Sequence, residues 1–116
     1  MKLSISLLAA ALLGSTTVFA DDNGVTCLKN HPNIHNVIGV FCGKNNMVVP
    51  SAYANRGFAS GGKWVGIRGT CSPAQWVPMN WCISQLQEVC AQAPGDGNNE
   101  KKFGKNGCQT FVTWAA

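Results

Sequence analysis

The sequence predicts a small, disulfide-stapled α+β domain in which an antiparallel sheet of three or four strands packs against one main helix. Three observations carry this prediction. Apolar side chains recur with a helical period over residues 80–91, short segments on both sides have the composition or alternation of strands, and the chain of 116 residues contains six cysteines. An all-β barrel with a single helix is the alternative fold.

The N-terminal part of the domain is predicted to contain a loop and a β-hairpin. Residues 28–36 are rich in asparagine and interrupted by Pro32, which favours a loop with at most one turn of helix. Residues 37–42 are apolar and rich in β-branched side chains, which predicts a strand. A turn at residues 43–46 would then return the chain into a paired strand at residues 47–49.

The middle of the chain is predicted to hold a short helix, a strand and an irregular connection. Residues 51–56 have the composition of a short helix, with Ser51 as its cap. Residues 63–68 alternate between apolar and other side chains, which predicts a half-buried strand with Trp64 partly outward. Two prolines within residues 71–79 indicate a connection without regular structure.

The C-terminal part contains the main helix, predicted at residues 80–91 with Asn80 as its N-cap. The apolar stripe of this helix consists of Cys82, Leu86, Val89 and Cys90. A polar, glycine-rich loop follows at residues 94–107, and residues 108–114 alternate again as a final strand. One face of that strand carries Gln109, Phe111 and Thr113, and the other carries Cys108, Thr110, Val112 and Trp114.

The first twenty residues have the features of a secretory signal peptide. Lys2 gives a short positive start, and residues 3–13 form an apolar run that is too short to span a bilayer. The sequence Val18-Phe19-Ala20 places small residues at the two positions that signal peptidase reads. We therefore expect cleavage after Ala20, leaving a single secreted cysteine-rich domain at residues 21–116.

The mature chain has a mild positive charge. Without Lys2, eight Lys and Arg residues face five Asp and Glu residues, a formal charge of +3. This charge is far below the basic density of nucleic-acid-binding domains, so we expect no nucleic-acid partner. No later apolar run is long enough for stable membrane insertion, and the expected form is a monomer.

All six cysteines follow the predicted cleavage site: Cys27, Cys42, Cys71, Cys82, Cys90 and Cys108. An even number in a small secreted chain predicts three disulfides, each worth roughly 3 kcal/mol, rather than a zinc site, which would favour a Cys-X-X-Cys pair. Within a helix, Cys82 and Cys90 lie about 12 Å apart, too far for a mutual bond. They must therefore bond to two other segments. Cys71 and Cys108 are natural candidates, and the pairing stays open.

The ionisable residues show no catalytic or metal-binding pattern. His31 and His35 have the spacing of metal ligands on a helix, but Pro32 separates them and no third ligand is near. The five acidic residues offer neither a carboxylate pair across a cleft nor a nucleophile with a positioned base. We expect a protein without catalytic activity, metal or cofactor.

The candidate binding residues are Trp64, Trp76, Met79, Lys101, Lys102, Phe103 and Lys105. Trp76 lies in the proline-containing connection, where it either plugs the core beside Cys71 or contacts a partner, a glycan or a membrane. The three lysines surround Phe103 in the polar loop. They form either a solvated hairpin or a contact for an anionic surface, such as phospholipid headgroups or acidic wall polysaccharide.

A signal peptide, fewer than a hundred further residues, six cysteines and many Gly and Asn residues resemble the small secreted cysteine-rich proteins of filamentous fungi. That group includes plant-directed effectors and killer-toxin-like proteins. The pattern of Cys82, Cys90 and Gly107-Cys108-Gln109-Thr110-Phe111-Val112 is similar to the helix, loop and final strand of the killer-toxin group. This resemblance implies an α+β sandwich.

The leading functional hypothesis is a secreted, non-enzymatic fungal effector, a virulence factor that binds a host molecule and modulates plant immunity or cell death. Its expected partner is a host protein or a component of the cell surface or wall, met outside the producing cell or after uptake into host cells. One alternative is an antimicrobial or killer-type toxin that acts through the basic loop and an exposed Trp. Another is a glycan-binding module that uses Trp64 or Trp76.

Secretion can be tested by N-terminal sequencing of the protein recovered from the medium of a secreting host. We expect the mature chain to begin at Asp21, because the small residues before it fit the signal peptidase site. A chain that stays inside the cells, or one that keeps residues 1–20, would contradict the signal-peptide assignment.

Overall fold

The computed structural model describes residues 15–115, with side chains from residue 22 onward. Most of the predicted signal peptide lies outside this part. Its last six residues fall in the first helix. The helices are α1 (Ser15–Asn30), α2 (Pro32–Phe41), α3 (Ala52–Arg56) and α4 (Met79–Ala91). The strands are β1 (Met47–Val49), β2 (Phe58–Ser60), β3 (Lys63–Gly69), β4 (Gln75–Val77), β5 (Asn99–Phe103) and β6 (Gln109–Ala115), with a 3₁₀ turn at Lys105–Gly107.

The strands form two antiparallel sheets. The larger sheet has the order β2-β3-β6-β5, and the smaller one pairs β1 with β4. In the larger sheet Trp64 lies opposite Trp114, and Gly66 lies opposite Val112. The predicted α+β class with an antiparallel sheet is confirmed, although the helical layer is larger than the single main helix that the sequence predicts.

The helices α2 and α4 cover one face of the larger sheet and leave most of the other to solvent. Val65, Ile67 and Phe111 point towards the helices and are fully buried in the core. Thr113 shares this buried face, and its hydroxyl donates a hydrogen bond to the carbonyl oxygen of Gly97 at 2.8 Å, which satisfies the buried polar group. The opposite side chains on β3 and β6 therefore form the outer face.

The strand predicted at residues 37–42 is wrong, because this segment belongs to α2. The buried residues of α2 are Ile34, Val37, Ile38 and Phe41. These residues are three or four positions apart, so they form one stripe along the helix. Val40 lies outside this stripe and is exposed. Pro32 occupies the first turn, where its missing N–H costs no hydrogen bond. Burial of this stripe against the sheet outweighs the β propensity of Val and Ile.

The β-hairpin predicted for β1 is also wrong, since β1 pairs with β4 instead. Met47 lies opposite Val77 and Val49 lies opposite Gln75. The strand β4 fits between Pro73 and Pro78, so the two prolines bound a short strand instead of excluding one. Likewise, β5 forms in the segment that was predicted as a polar loop. These strands depend on distant partners and carry little local signal.

Two disulfides fasten α4 to the other long helices. Cys90 bonds to Cys27 on α1, and Cys82 bonds to Cys42 at the end of α2. The prediction that the two cysteines of this helix reach two different segments is confirmed. Three disulfides are typical of proteins in oxidising extracellular compartments.

Cys71 and Cys108 were natural candidates to bond with the cysteines of α4. This prediction is wrong, because the two cysteines bond to each other. Their backbones are already brought together by the sheet, where the amide of Thr70 donates a hydrogen bond to the carbonyl oxygen of Cys108 at 2.9 Å. The third disulfide therefore fixes the end of β3 to the start of β6.

Of the two predicted helix caps, one is confirmed and the other is wrong. Ser51 caps α3 as predicted, since its hydroxyl oxygen accepts a hydrogen bond from the amide of Ala54 at 3.1 Å. The helix α4 begins one residue earlier than predicted and is preceded by Pro78, which has no side chain able to cap it. Asn80 therefore lies inside the first turn, and its assignment as the N-cap is wrong.

The different roles of Ser51 and Asn80 can be tested by replacing each residue with alanine. We expect Ser51→Ala to lower the free energy of unfolding by about 1 kcal/mol, because the amide of Ala54 loses its acceptor. Asn80→Ala should change it by less than about 0.5 kcal/mol, as is usual for an exposed site without a special contact. Chemical denaturation of both variants gives the comparison. An equal loss in both would show that Asn80 caps α4 in solution.

Candidate binding surfaces

The first candidate surface consists of Trp76, Met79 and Trp81, and we call it the Trp76–Trp81 surface. Trp76 is 66% exposed, Trp81 54% and Met79 44%, which is unusual for side chains of this size. On β4 the neighbouring Val77 is buried, so alternation turns Trp76 to solvent. The interpretation of Trp76 as a plug of the core beside Cys71 is therefore wrong, and an outward contact remains.

A shallow groove of ≈ 210 Å³ adjoins this surface. It is lined by Trp76, Val77, Pro78, Trp81, Gln85, Gly104 and Gln109. Behind the groove, the side-chain amide of Gln109 donates a hydrogen bond to Oε1 of Gln75 at 2.8 Å, which links β6 to β4. The Cys42–Cys82 disulfide fixes the first turn of α4, so the surface stands on a rigid base.

Trp81 was not among the residues singled out from the sequence. The helical pattern did contain the signal, because Cys82 belongs to the buried stripe and the preceding residue of a helix lies about 100° away from it. Met79 lies in the first turn of the same helix and is exposed with it. The structure thus exposes Met79, Trp76 and Trp81 where β4 leads into α4.

The second candidate surface is on the outer face of the larger sheet and centres on Trp64 and Trp114. The indole N–H of Trp64 donates a hydrogen bond to the carbonyl oxygen of Arg56 at 2.7 Å. The guanidinium carbon of Arg68 lies 5.4 Å from the centre of the Trp64 ring, a cation–π distance. Trp114, on the neighbouring strand, is half-exposed.

Two glycines make room for the Trp64 ring. A Cβ atom added to Gly66 would lie 2.5 Å from ring carbons of Trp64, and one added to Gly57 would lie 2.6 Å from the ring. Gly57 also has φ +70°, a conformation that favours glycine. The indole is therefore held by its hydrogen bond, by Arg68 and by two positions at which no side chain intrudes.

A groove of ≈ 340 Å³ on this outer face is lined by Trp64, Arg68, Glu100, Val112 and Trp114. Of these residues, only Trp64 was singled out from the sequence. Trp114 was missed, although alternation places it on the face opposite the core residue Phe111. Glu100 was missed because the strand β5 that presents it was predicted as loop.

The structure does not gather the predicted basic cluster into one patch. Along β5 successive side chains point to opposite faces, so Lys101 and Lys102 diverge. Lys101 forms an ion pair with Glu88 on α4. Phe103 packs edge-on against Phe111, with ring centres 5.0 Å apart, and is partly buried against the core.

Lys105 lies in the 3₁₀ turn that follows β5. Its backbone amide is 3.4 Å from Oε1 of Gln75, while its side chain is exposed beside the Cys71–Cys108 disulfide. The lysines of the cluster therefore occupy three separate environments.

Among the side chains of the described residues, no three of the types His, Cys, Asp and Glu converge in a group able to hold a metal ion. Every cysteine is in a disulfide. Within residues 15–115, no helix combines the length and apolarity needed to cross a bilayer.

Comparison of the chain with models of known protein families, with characterised proteins and with solved structures found no significant match.

The seating of Trp64 can be tested with Gly66→Ala. The added methyl group would overlap the indole ring, so we expect the free energy of unfolding to fall by about 1–3 kcal/mol and the Trp emission to change as the ring is displaced.

Gly39→Ala is the matched control, since Gly39 lies in α2 and, apart from the neighbouring backbone of its own helix, no atom lies within 4 Å of the added Cβ. This control should be neutral or stabilise the protein by about 0.5–1 kcal/mol, because alanine restricts the unfolded chain and favours helix. Equal stability of the two variants would show that the Trp64 ring is not fixed over Gly66.

Proposed function

We propose that the protein is a secreted, non-enzymatic effector that binds a host protein through the Trp76–Trp81 surface. The observation that carries this proposal is the joint exposure of Trp76, Met79 and Trp81 on two adjoining elements of a disulfide-bonded domain. Large exposed aromatic side chains of this kind are common at the centres of protein interfaces. The proposed host is a plant, and binding would modulate its immunity or cell death, as the effector-like format of the chain implies.

The energetics favour a role in binding. A Trp side chain buries roughly 150–250 Å² in a core or interface, so covering the exposed two thirds of Trp76 is worth about 3 kcal/mol before the costs of association. Trp81 and Met79 add further apolar area beside it. A partner that covers all three would gain a free energy comparable with the lower estimates for the cost of association.

The rigidity of the surface supports the same conclusion. Trp76 lies on a paired strand, and Trp81 precedes a disulfide-bonded cysteine. Less backbone freedom has to be lost on binding when the contact residues stand on fixed elements, so more of the contact energy appears as affinity. The partly polar groove beside the two indoles offers Gln85 as a hydrogen-bonding group for orientation.

The toxin alternative draws less support from the arrangement of charge. It was expected to act through the basic cluster together with an exposed Trp. Lys101 is engaged by Glu88, and Lys102 lies on the other face of β5. Attraction to an anionic membrane grows with the number of cations that reach it together, so a dispersed cluster binds weakly.

The effector proposal is tested by capture from plant tissue with the oxidised mature protein, followed by direct binding of the captured protein. We expect Trp76→Ala and Trp81→Ala each to weaken that binding by roughly thirtyfold, as for hot-spot residues. Trp114→Ala, a similarly exposed Trp outside the surface, is the control and should change the affinity by less than about threefold. The same two variants should lose their effect on plant immunity or cell death.

A captured protein that binds Trp76→Ala and Trp81→Ala as tightly as the native protein would refute the proposal that the Trp76–Trp81 surface is the binding site. Unchanged virulence after disruption of the gene would refute the effector role. Inhibition of competing microbes, with no response of plant tissue, would support the toxin instead.

A further inference from the structure

We infer that the groove on the outer sheet face binds a neutral carbohydrate, with Trp114 as its stacking platform. This site shares no residue with the Trp76–Trp81 surface, and it does not depend on the effector proposal. The glycan-binding alternative named Trp64 or Trp76 as the contact. The structure assigns the exposed aromatic contact to Trp114 and gives Trp64 a supporting position.

The strand register builds the groove from side chains on three adjacent antiparallel strands, β3, β6 and β5. Trp64 and Trp114 face each other across β3 and β6 at one end. The next pair along is Gly66 and Val112, where the Trp64 ring lies over Gly66 and the buried Val112 makes the floor beside it. Glu100 lies beside Val112 on β5 and forms the far wall. The result is a depression with an aromatic end and an ionisable group on either side.

The two charged residues that line the groove argue for a neutral ligand. An anion attracted by Arg68 would be repelled by Glu100, and a cation attracted by Glu100 would be repelled by Arg68, so the groove as a whole favours neither kind of ion. Among the described side chains, neither residue makes an ion pair that would neutralise it. The side chain of Lys102 runs beside Gly107, away from the two tryptophans, and does not line the groove.

A sugar ring matches this combination of groups. One face of a pyranose ring carries C–H groups that pack on a flat aromatic ring, while its hydroxyl groups both donate and accept hydrogen bonds. Arg68 offers only donors and Glu100 offers only acceptors, so hydroxyl groups satisfy both without a net charge. Trp114 presents the exposed aromatic face at the end of the groove.

Side chains of this groove are held in position before a ligand binds, which distinguishes it from an ordinary surface depression. Trp64 is held by the Arg56 carbonyl and by the space over Gly66, and it in turn supports the guanidinium of Arg68. Arg68 is therefore oriented before any ligand arrives, which reduces the entropy lost on binding. The volume of ≈ 340 Å³ is within the lower part of the range for small-molecule sites, which suits a short stretch of a glycan chain.

The test measures retention of the oxidised mature protein by insoluble cellulose, chitin, xylan, β-1,3-glucan and mannan, followed by titration with soluble oligosaccharides of any that bind. We expect at least one of these neutral glycans to bind, with Trp114→Ala weakening the affinity at least about tenfold through loss of stacking. Glu100→Gln should weaken it several-fold, because the amide replaces one charge-assisted acceptor. Binding should change by less than about twofold as salt is raised, since the ligand is neutral.

Trp76→Ala is the matched control, because it removes a Trp that is more exposed than Trp114 from the other surface and should leave glycan binding unchanged. Circular dichroism and thermal unfolding check that each variant is folded. Polygalacturonate and choline serve as the anionic and cationic probes.

Three outcomes would overturn the inference: no retention by any neutral glycan, binding of polygalacturonate or choline alone, or full binding by Trp114→Ala. Loss of glycan binding in Trp76→Ala but not in Trp114→Ala would place the contact on the other surface and also overturn it. The first three outcomes leave the protein-binding proposal untouched, since that proposal predicts sensitivity to Trp76→Ala and none to Trp114→Ala.

Discussion

The two disulfides on α4 are the constraint on which the rest of the domain depends. Cys82 in the first half of the helix is bonded to the end of α2, and Cys90 near its last turn is bonded to α1. Leu86 and Val89 between them fill the space against the sheet. A domain of this size buries a modest core, so cross-links that restrict the unfolded chain supply a large part of its stability. The position of α4 in turn fixes where the strands before and after it can lie.

Both candidate surfaces follow from this arrangement. Because α2 and α4 pack on one face of the larger sheet, its other face is left for the side chains of Trp64 and Trp114. Because Cys82 must point inward to its disulfide, Trp81 beside it points outward. The same bonds that stabilise the core therefore determine which aromatic side chains are exposed, and neither surface requires a flexible loop.

Sequence periodicity predicted the elements whose signal is long and local. The helix α4 and the strands β3 and β6 each repeat their apolar residues over a full element, and all three form as expected. The helix α2 was missed because its Val and Ile residues favour strands in isolation, and only burial against the sheet reveals its helical stripe. The short strands β1 and β4 were mispaired or missed because pairing between distant segments leaves almost no local pattern.

The residues of the candidate sites could likewise be predicted only in part from the sequence. Trp76 was singled out by its unusual setting, but only the strand register decides that it faces solvent.

The ring of Trp64, which lies opposite Trp114, fits on the outer face only because Gly66 has no side chain. Positions 64 and 66 are therefore expected to vary together among related chains, with glycine at 66 dispensable where 64 is small. Such linked variation would identify the relatives that keep this groove, independently of overall similarity.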